Sequence, residues 1–152
     1  MKYINQITAA RQNNIKKGFI VITKNRIRDI RPLAVGKDLK TKVNANIGSS
    51  GDNYDIEEEL EKLSVAIKSG ADSVMDLSTG GNIVEFRSHI LKNSSVPVGT
   101  VPIYEAFQPA VEKGIINPNS PDFIDEFDPE YLFEVIERQC EEGVDFITVH
   151  CG

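Results

Sequence analysis

A chain of 152 residues, of which 40% are hydrophobic and 26% charged, has the composition of one globular domain. It has no apolar run near the roughly 20 residues that span a bilayer, and its N-terminus lacks the apolar core of a signal peptide. The net charge of −6 and the scattered cations disfavour a nucleic-acid-binding surface. Two cysteines without CxxC spacing, Cys140 and Cys151, indicate a reducing, cytoplasmic setting.

Residues 1–40 are predicted to form a lead-in to the main domain. Ile4, Ile7 and Ile15 lie near helical spacing, which indicates a short first helix. Residues 19–22 are rich in β-branched side chains and predict a strand, which a polar and basic connection follows.

Residues 41–152 alternate between predicted strands and amphipathic helices, an order that implies parallel strands joined by right-handed crossovers. The strands are predicted at residues 43–47, 73–77, 97–101 and 146–149. Three capping residues mark helix starts: Asp55, Asn82 and Asp128. Residues 106–127 are rich in Asn, Pro, Asp and Ser and predict a surface insertion.

The predicted fold class is therefore α/β. No GxGxxG motif follows the first of these strands, which disfavours a dinucleotide-binding sheet. A (β/α)8 TIM-type barrel fits better. Because a complete barrel needs about 250 residues, the chain would supply roughly the first half of one. We therefore expect it to be part of a larger enzyme.

Two segments share a pattern in which glycine, a small residue and aspartate precede a buried strand with a polar end. They are Gly70-Ala71-Asp72 and Gly143-Val144-Asp145, and each follows a predicted amphipathic helix. In a barrel of parallel strands the chemistry lies at the carboxyl ends of the strands. The repeat therefore predicts two equivalent units that end in candidate site residues.

Several polar side chains lie at or just past these predicted strand ends. Asn44 and Asn46 share one face of a strand, Tyr104 follows a later strand, and His150 ends the last. Hydrogen-bonded amides, a packed tyrosine and a structural histidine are the alternatives to ligand contact. Because histidine titrates near neutrality, His150 could donate or accept a proton.

The strand that ends at Asp76 offers two further candidates. Met75 and Asp76 could line the mouth of a barrel, or Asp76 could cap a turn. The Gly80-Gly81-Asn82 segment at a helix start could hold an anion through free N–H groups, although such a segment is often only a turn. His150 and Cys151 are poor metal ligands together, since adjacent strand residues point to opposite faces. No metal site is predicted.

Four segments in this order resemble the phosphomethylpyrimidine synthase (ThiC) family of thiamine biosynthesis. They are KVNANIG at 42–48, VMDLSTG at 74–80, PVGTVPIY at 97–104 and GVDFITVH at 143–150. The spacing from Asn46 to Met75 is 29 residues, and the spacing from Met75 to Tyr104 is again 29.

The resemblance implies a (β/α)8 barrel that uses S-adenosylmethionine, a [4Fe–4S] cluster and Zn²⁺. The implied enzyme is a cytoplasmic homodimer and a carbon–carbon lyase. It rearranges 5-aminoimidazole ribonucleotide into 4-amino-5-hydroxymethyl-2-methylpyrimidine phosphate. By resemblance, four residues would contact the substrate: Asn46, Met75, Tyr104 and His150. From their place in the sequence next to Met75, and not from the resemblance, we infer that Asp76 and Ser78 hold these residues in position. No catalytic residue is assigned.

The family's metal-binding histidines and its cysteine triad for the cluster have no counterpart in this sequence. We therefore expect the chain alone to be inactive. Two alternatives stay open. One is the related 5-hydroxybenzimidazole synthase of anaerobic cobamide biosynthesis, which shares the fold, substrate and cofactors. The other is a non-catalytic half-barrel that binds a nucleotide.

Overall fold

The computed structural model describes residues 17–112 and 127–150, with side chains up to residue 108 in the first range. The predicted helix at Ile4 to Ile15 lies outside these ranges, as do residues 113–126 of the predicted insertion. The described part contains a two-stranded antiparallel sheet and a four-stranded parallel sheet flanked by helices.

The antiparallel pair consists of β1 (Ile20–Thr23) and β2 (Leu33–Gly36), with Ile20 opposite Gly36. The sequence predicted only the first of these strands. Gly36 is required at its position, because its φ is 148° and an added Cβ would lie 2.1 Å from the backbone oxygen of Phe19.

The parallel sheet has the strand order β3-β4-β5-β6. Its strands are β3 (Asn44–Ile47), β4 (Ser73–Asp76), β5 (Val98–Thr100) and β6 (Phe146–Ile147). The helices are α1 (Ile56–Lys68), α2 (Ile83–Asn93), α3 (Pro102–Glu112) and α4 (Pro129–Glu142). The α/β class with parallel strands is thus confirmed. Four strands in one sheet do not by themselves make a closed barrel.

Three helices begin at the capping residues that the sequence predicts. The Asp55 side chain accepts hydrogen bonds from the backbone N–H groups of Glu57 and Glu58. Asn82 accepts one from the Glu85 N–H, and Asp128 caps α4 in the same way. These bonds satisfy backbone donors that a helix start leaves without an intrahelical partner.

Helix α3 differs from the prediction. The sequence indicated a strand through Val101 and a surface insertion from Ala106 with a short helix near Ala110, but the helix already begins at Pro102 and ends at Glu112. Proline suits the first turn of a helix, where its missing N–H has no partner to lose. Tyr104 therefore lies on a helix and not at the tip of a strand.

The core lies on the face of the parallel sheet that α1 and α2 cover. Its buried members are Ile47, Leu63, Val74, Ile90, Leu91, Val98 and Val144. Burial of these side chains is the main contribution to stability, at roughly 1.5–3 kcal/mol for each large aliphatic residue. Within the described ranges, no helix is long and apolar enough to cross a membrane.

The repeated Gly-x-Asp segments clamp the amino-terminal edge of this sheet. Asp72 Oδ2 accepts a hydrogen bond from the Val43 N–H at 2.9 Å, and the Asp72 N–H donates to the Val43 oxygen at 2.8 Å. Asp145 does the same with Val98, at 2.9 Å in both directions. The shared aspartate therefore sets the register of neighbouring strands.

Arg28 extends the second clamp to the segment between β1 and β2. Its guanidinium pairs with Asp145 and donates to the backbone oxygens of Leu91 at 3.0 Å and Ser94 at 2.7 Å. These oxygens belong to the carboxyl end of α2, where a cation is favoured by the helix dipole. Arg28 thus ties the antiparallel pair to the underside of the parallel sheet.

Candidate functional site

Asn46 and Met75 lie side by side at the carboxyl edge of the parallel sheet. Asn46 aligns with Met75, Met75 with Gly99, and Gly99 with Phe146. Aligned residues of parallel strands share a face of the sheet, and this face is opposite to that of Val74 and the core. From β3 to β6, this row consists of the Asn46 amide, the Met75 thioether, the Gly99 backbone and the Phe146 ring.

Phe146 lies directly over Gly99. A Cβ added to Gly99 would meet the Phe146 ring at 2.3 Å, so only glycine leaves room for it. Met75 is 8% exposed in this row. The result is an apolar surface beside an amide, suited to a flat heteroaromatic ring.

Asn44 and Asn46 have different roles. Asn44 Oδ1 accepts a hydrogen bond from Ser73 Oγ at 2.7 Å, which is the structural role that the sequence left open for this pair. Asn46 is exposed and makes no side-chain hydrogen bond within the part of the chain that the structure describes. Asn46 is therefore the member of the pair that is available to a ligand.

Asp76 faces the opposite side of the sheet from Met75. It aligns with Ile47 and Thr100, and its carboxylate accepts hydrogen bonds from the Ser78 N–H at 3.0 Å and the Ser78 hydroxyl at 2.6 Å. Burial raises the pKa of Asp76, although the hydrogen bonds from Ser78 oppose the increase. Asp76 and Met75 therefore do not line one surface.

Ser78 links the loops that follow β3 and β4. Its Oγ accepts the Ser49 N–H at 3.1 Å, and Ser49 Oγ donates to the Gly80 oxygen at 2.7 Å. A Cβ at Gly80 would lie 2.3 Å from the Ser50 backbone, so the loops touch and glycine is required there. Asp76 and Ser78 thus hold the loops beside Asn46 and Met75, which is a supporting position.

Tyr104 lines a cleft of about 720 Å³ at the same edge of the sheet. Its walls are formed by three aromatic side chains and by the loops that follow β3 and β4. The lining residues are Gly51, Tyr54, Thr79, Gly80, Gly81, Ile103, Tyr104, Phe107 and Gln108. Gln108 Nε2 donates to the Gly81 oxygen at 2.8 Å and so closes one side. Aromatic walls with a phenol group favour a planar, polar ligand.

His150 is exposed and lies three residues beyond the end of β6. Because β6 and β3 are the outer strands of the sheet, His150 and Asn46 are at opposite ends of the carboxyl edge. The structure therefore brings Asn46 and Met75 together, and places Tyr104 and His150 on the same edge at separate points.

The structure adds site residues that the sequence did not indicate. Gly99 and Phe146 complete the row on the sheet face, and Tyr54 lines the cleft. A glycine inside a predicted strand signals a close approach by another group, so Gly99 could have been found. Tyr54 lies in a loop whose path no local pattern specifies.

The described residues do not fit the metal groups that the resemblance implies. They contain no cluster of three His, Cys, Asp or Glu side chains placed to hold a metal ion. Cys140 is exposed on α4, whereas an iron–sulfur cluster needs several cysteine thiolates around it. We therefore derive no step that passes through a cluster or through Zn²⁺.

Comparison with known proteins gives consistent matches. The profile of the Radical SAM ThiC family matches residues 5–152. Phosphomethylpyrimidine synthase from Thermodesulfovibrio yellowstonii is 55% identical over 141 residues, which are 91% of this chain and 31% of the relative. The enzymes of that name from Methanocaldococcus jannaschii and Methanococcus vannielii are 51% and 49% identical, with the same coverage. The chain thus spans about a third of the length of these relatives, and it belongs to the Radical SAM ThiC family.

Proposed function

We propose that this chain forms the substrate-binding edge of a phosphomethylpyrimidine synthase, whose substrate is 5-aminoimidazole ribonucleotide. The product would be 4-amino-5-hydroxymethyl-2-methylpyrimidine phosphate. The observation that carries the proposal is the register of β3 and β4, which sets Asn46 beside Met75 at the carboxyl edge. Family membership supports the same substrate.

Each residue has a chemical role in this proposal. The flat imidazole ring would lie against Met75 and Gly99, with the Asn46 amide bonded to its polar edge. The Tyr104 phenol would donate a hydrogen bond to the ribose or the phosphate. His150 would bind the phosphate or exchange a proton with the substrate, since imidazole can do either near neutral pH.

Recognition is the part of the reaction that we assign to this chain. The family name implies radical chemistry with S-adenosylmethionine and a [4Fe–4S] cluster, for which the described residues provide no ligand set. Binding and orientation of the ribonucleotide need only the polar groups and the apolar surface described above. The expected Zn²⁺ site, homodimer and cytoplasmic location stay predictions.

We also propose that β3 to β6 are consecutive strands of a (β/α)8 barrel. Two observations support this: each strand pairs with its neighbour in chain order, and α1 and α2 pack on one face. In such barrels the other face points inward and the active site lies at the carboxyl edge. Asn46 and Met75 would then face the interior of the barrel.

The test is a chimera in which this chain replaces the matching 141 residues of the Thermodesulfovibrio yellowstonii relative. We expect the chimera to convert aminoimidazole ribonucleotide into the pyrimidine phosphate. Asn46→Ala should raise KM about tenfold, since one ligand hydrogen bond is lost. Asn93→Ala, at the exposed end of α2, is the matched control and should change nothing.

Two other outcomes would overturn the proposal. A benzimidazole product would favour the 5-hydroxybenzimidazole synthase, which the names of the relatives do not support. An inactive chimera that still binds the ribonucleotide by calorimetry would favour the non-catalytic half-barrel.

A further inference from the structure

Helix α3 begins without a capping side chain of its own. The residue before it is Val101, which has no side-chain oxygen, whereas the other three helices follow Asp or Asn. Thr100 has a hydroxyl, but it donates to Gln139 Oε1 at 2.6 Å. The first turn of α3 therefore has no side-chain cap, and its position depends on a tertiary interaction.

Glu105 supplies that interaction. It lies in the first turn of α3 and is 5% exposed. Its carboxylate accepts hydrogen bonds from Arg87 Nη1 at 2.6 Å, Arg138 Nη2 at 2.8 Å and Gln139 Nε2 at 2.6 Å. Arg87 belongs to α2 and the other two donors to α4, so one carboxylate joins three helices.

Two of the three donors, Arg87 and Gln139, are themselves buried and held in place. Arg87 is 1% exposed, and its Nε donates to Glu142 at 2.6 Å. Gln139 is 1% exposed and connects Glu105 to Thr100 at the end of β5. Charge-assisted bonds of this kind are short, directional and strong in a buried setting. The cluster of Glu105, Arg87, Arg138 and Gln139 therefore fixes both the position of α3 along the sheet and its rotation about the helix axis.

We propose that Glu105 is a positioning residue for Tyr104, whose ring it holds in the cleft at the carboxyl edge. Tyr104 is the preceding residue in the same helical turn. If the Glu105 carboxylate loses its partners, the first turn of α3 can shift, and the Tyr104 phenol shifts with it. This inference rests on the proposed function, because it assigns Tyr104 a substrate contact.

The charge on Glu105 is favoured at neutral pH. Burial alone would raise its pKa, but the hydrogen bond from Gln139 and the charges of Arg87 and Arg138 outweigh burial and hold the pKa below its usual value. The carboxylate is thus charged at neutral pH and can keep its bonds to both arginines.

The first test is a double-mutant cycle on KM in the chimera described above. Glu105→Gln and Tyr104→Phe should each raise KM about tenfold, and the double variant should be no worse than Tyr104→Phe alone. Additive effects would overturn the proposal, because they indicate that the two residues act independently. A fall in kcat without a change in KM would also overturn it, because it indicates a general loss of folded protein.

A second variant guards against misfolding of Glu105→Gln. The Arg138 side chain is 40% exposed, so Arg138→Met removes one bond to Glu105 at little cost to folding. Arg138→Met should raise KM, and Arg138→Lys should restore part of the loss. Glu61→Gln, on the exposed side of α1, is the control and should have no effect.

A readout that needs no substrate separates this proposal from the proposed function. We would place 3-fluorotyrosine at position 104 of the 152-residue chain and record its ¹⁹F resonance. Arg138→Met should shift or broaden the resonance, and Glu61→Gln should not. An unmoved resonance would overturn the positioning role even in an active chimera. A moved resonance with no substrate turnover would support positioning and overturn only the proposed function.

Discussion

His150 is the proposed site residue whose imidazole could both bind and exchange a proton with a ligand. It is exposed beyond β6, while the other histidine, His89, is half-buried in α2. We predict that His150→Ala in the chimera lowers kcat/KM at least tenfold, since a phosphate contact or proton carrier is lost. Far-ultraviolet circular dichroism should stay unchanged. Equal losses from His89→Ala would indicate that the assay reports folding.

Asp76 predicts a pH dependence of stability. Its pKa is raised by burial, so the folded state keeps a proton that the unfolded state has released in the range between the two pKa values. The stability that this carboxyl contributes is therefore complete at low pH and is lost as the pH rises through the folded-state pKa.

The variant Asp76→Asn should remove this dependence, because an amide does not ionise. Its oxygen can still accept both bonds from Ser78, so the local structure should be kept. We expect the stability of the variant relative to the original to increase from acidic to neutral pH. Urea unfolding at a series of pH values measures the difference. A constant difference across the series would contradict the prediction.

At the scale of single residues, the sequence names candidates but does not predict their arrangement. That Asn46, Met75, Tyr104 and His150 contact a ligand stays a prediction. The sequence places Tyr104 just past a strand, whereas it lies on α3, and no local pattern shows that Met75 aligns with Gly99. The spacing of residues along the sequence does not show where a strand ends and a helix begins.

At the level of elements, Asp72 and Asp145 make equivalent hydrogen bonds at the amino-terminal edge of the sheet, so their contributions to stability can be compared. The Asp145 side chain is fully buried and bonds to Val98, Arg28 and the Asn25 N–H. Asp72 is half-buried, and within the described residues its side chain accepts one hydrogen bond, from the Val43 N–H.

Asp145→Asn should therefore cost about 3 kcal/mol of unfolding free energy, because it leaves Arg28 without its buried partner. Asp72→Asn should cost less than about 1 kcal/mol, because the amide oxygen can still accept the Val43 N–H and no ion pair is broken. Denaturant unfolding of both variants gives the comparison. Similar losses for the two would mean that Arg28 adds nothing to the second clamp.

The elements themselves were largely predictable. Helix caps at Asp55, Asn82 and Asp128 are local chemistry, and a local pattern is enough to find them. The strand β2 was missed because its four residues show no alternation of polar and apolar side chains. A short helix near Ala110 was expected within the insertion, but the start of α3 at Pro102 was not predicted, because it follows a three-residue strand directly and its first turn is held by the buried carboxylate of Glu105, a tertiary contact.

At the scale of the whole molecule, β3 and β6 each have a strand partner on one side only within the described residues. Unpaired edges are templates for pairing with another chain. We predict that the isolated chain self-associates as its concentration rises, which sedimentation velocity measures. A sharp, reversible thermal transition of a monomer would count against this.

A charge placed near an open edge should weaken the association. Val149 follows β6 and is 53% exposed, so Val149→Lys should shift the sedimentation distribution towards monomer. Val65→Lys is the matched control, since Val65 is 56% exposed on α1 and away from both edges. Equal effects of the two variants would indicate nonspecific solubility.

The order of strands in the sheet could be predicted, because helices alternate with strands and crossovers are right-handed. Closure into a barrel could not, since it depends on how many strands pair and at what tilt. The division between the two faces follows only from the register, which local sequence does not specify.

The aspartate clamps have a consequence for how this fold can diverge. They hold strand register from the amino-terminal edge through Asp72 and Asp145, and neither residue takes part in the opposite edge. Replacements at Asn46 or Tyr104 can therefore alter ligand preference while the sheet keeps its alignment. A scaffold whose strand register is set at one edge leaves the other edge free to evolve new specificities.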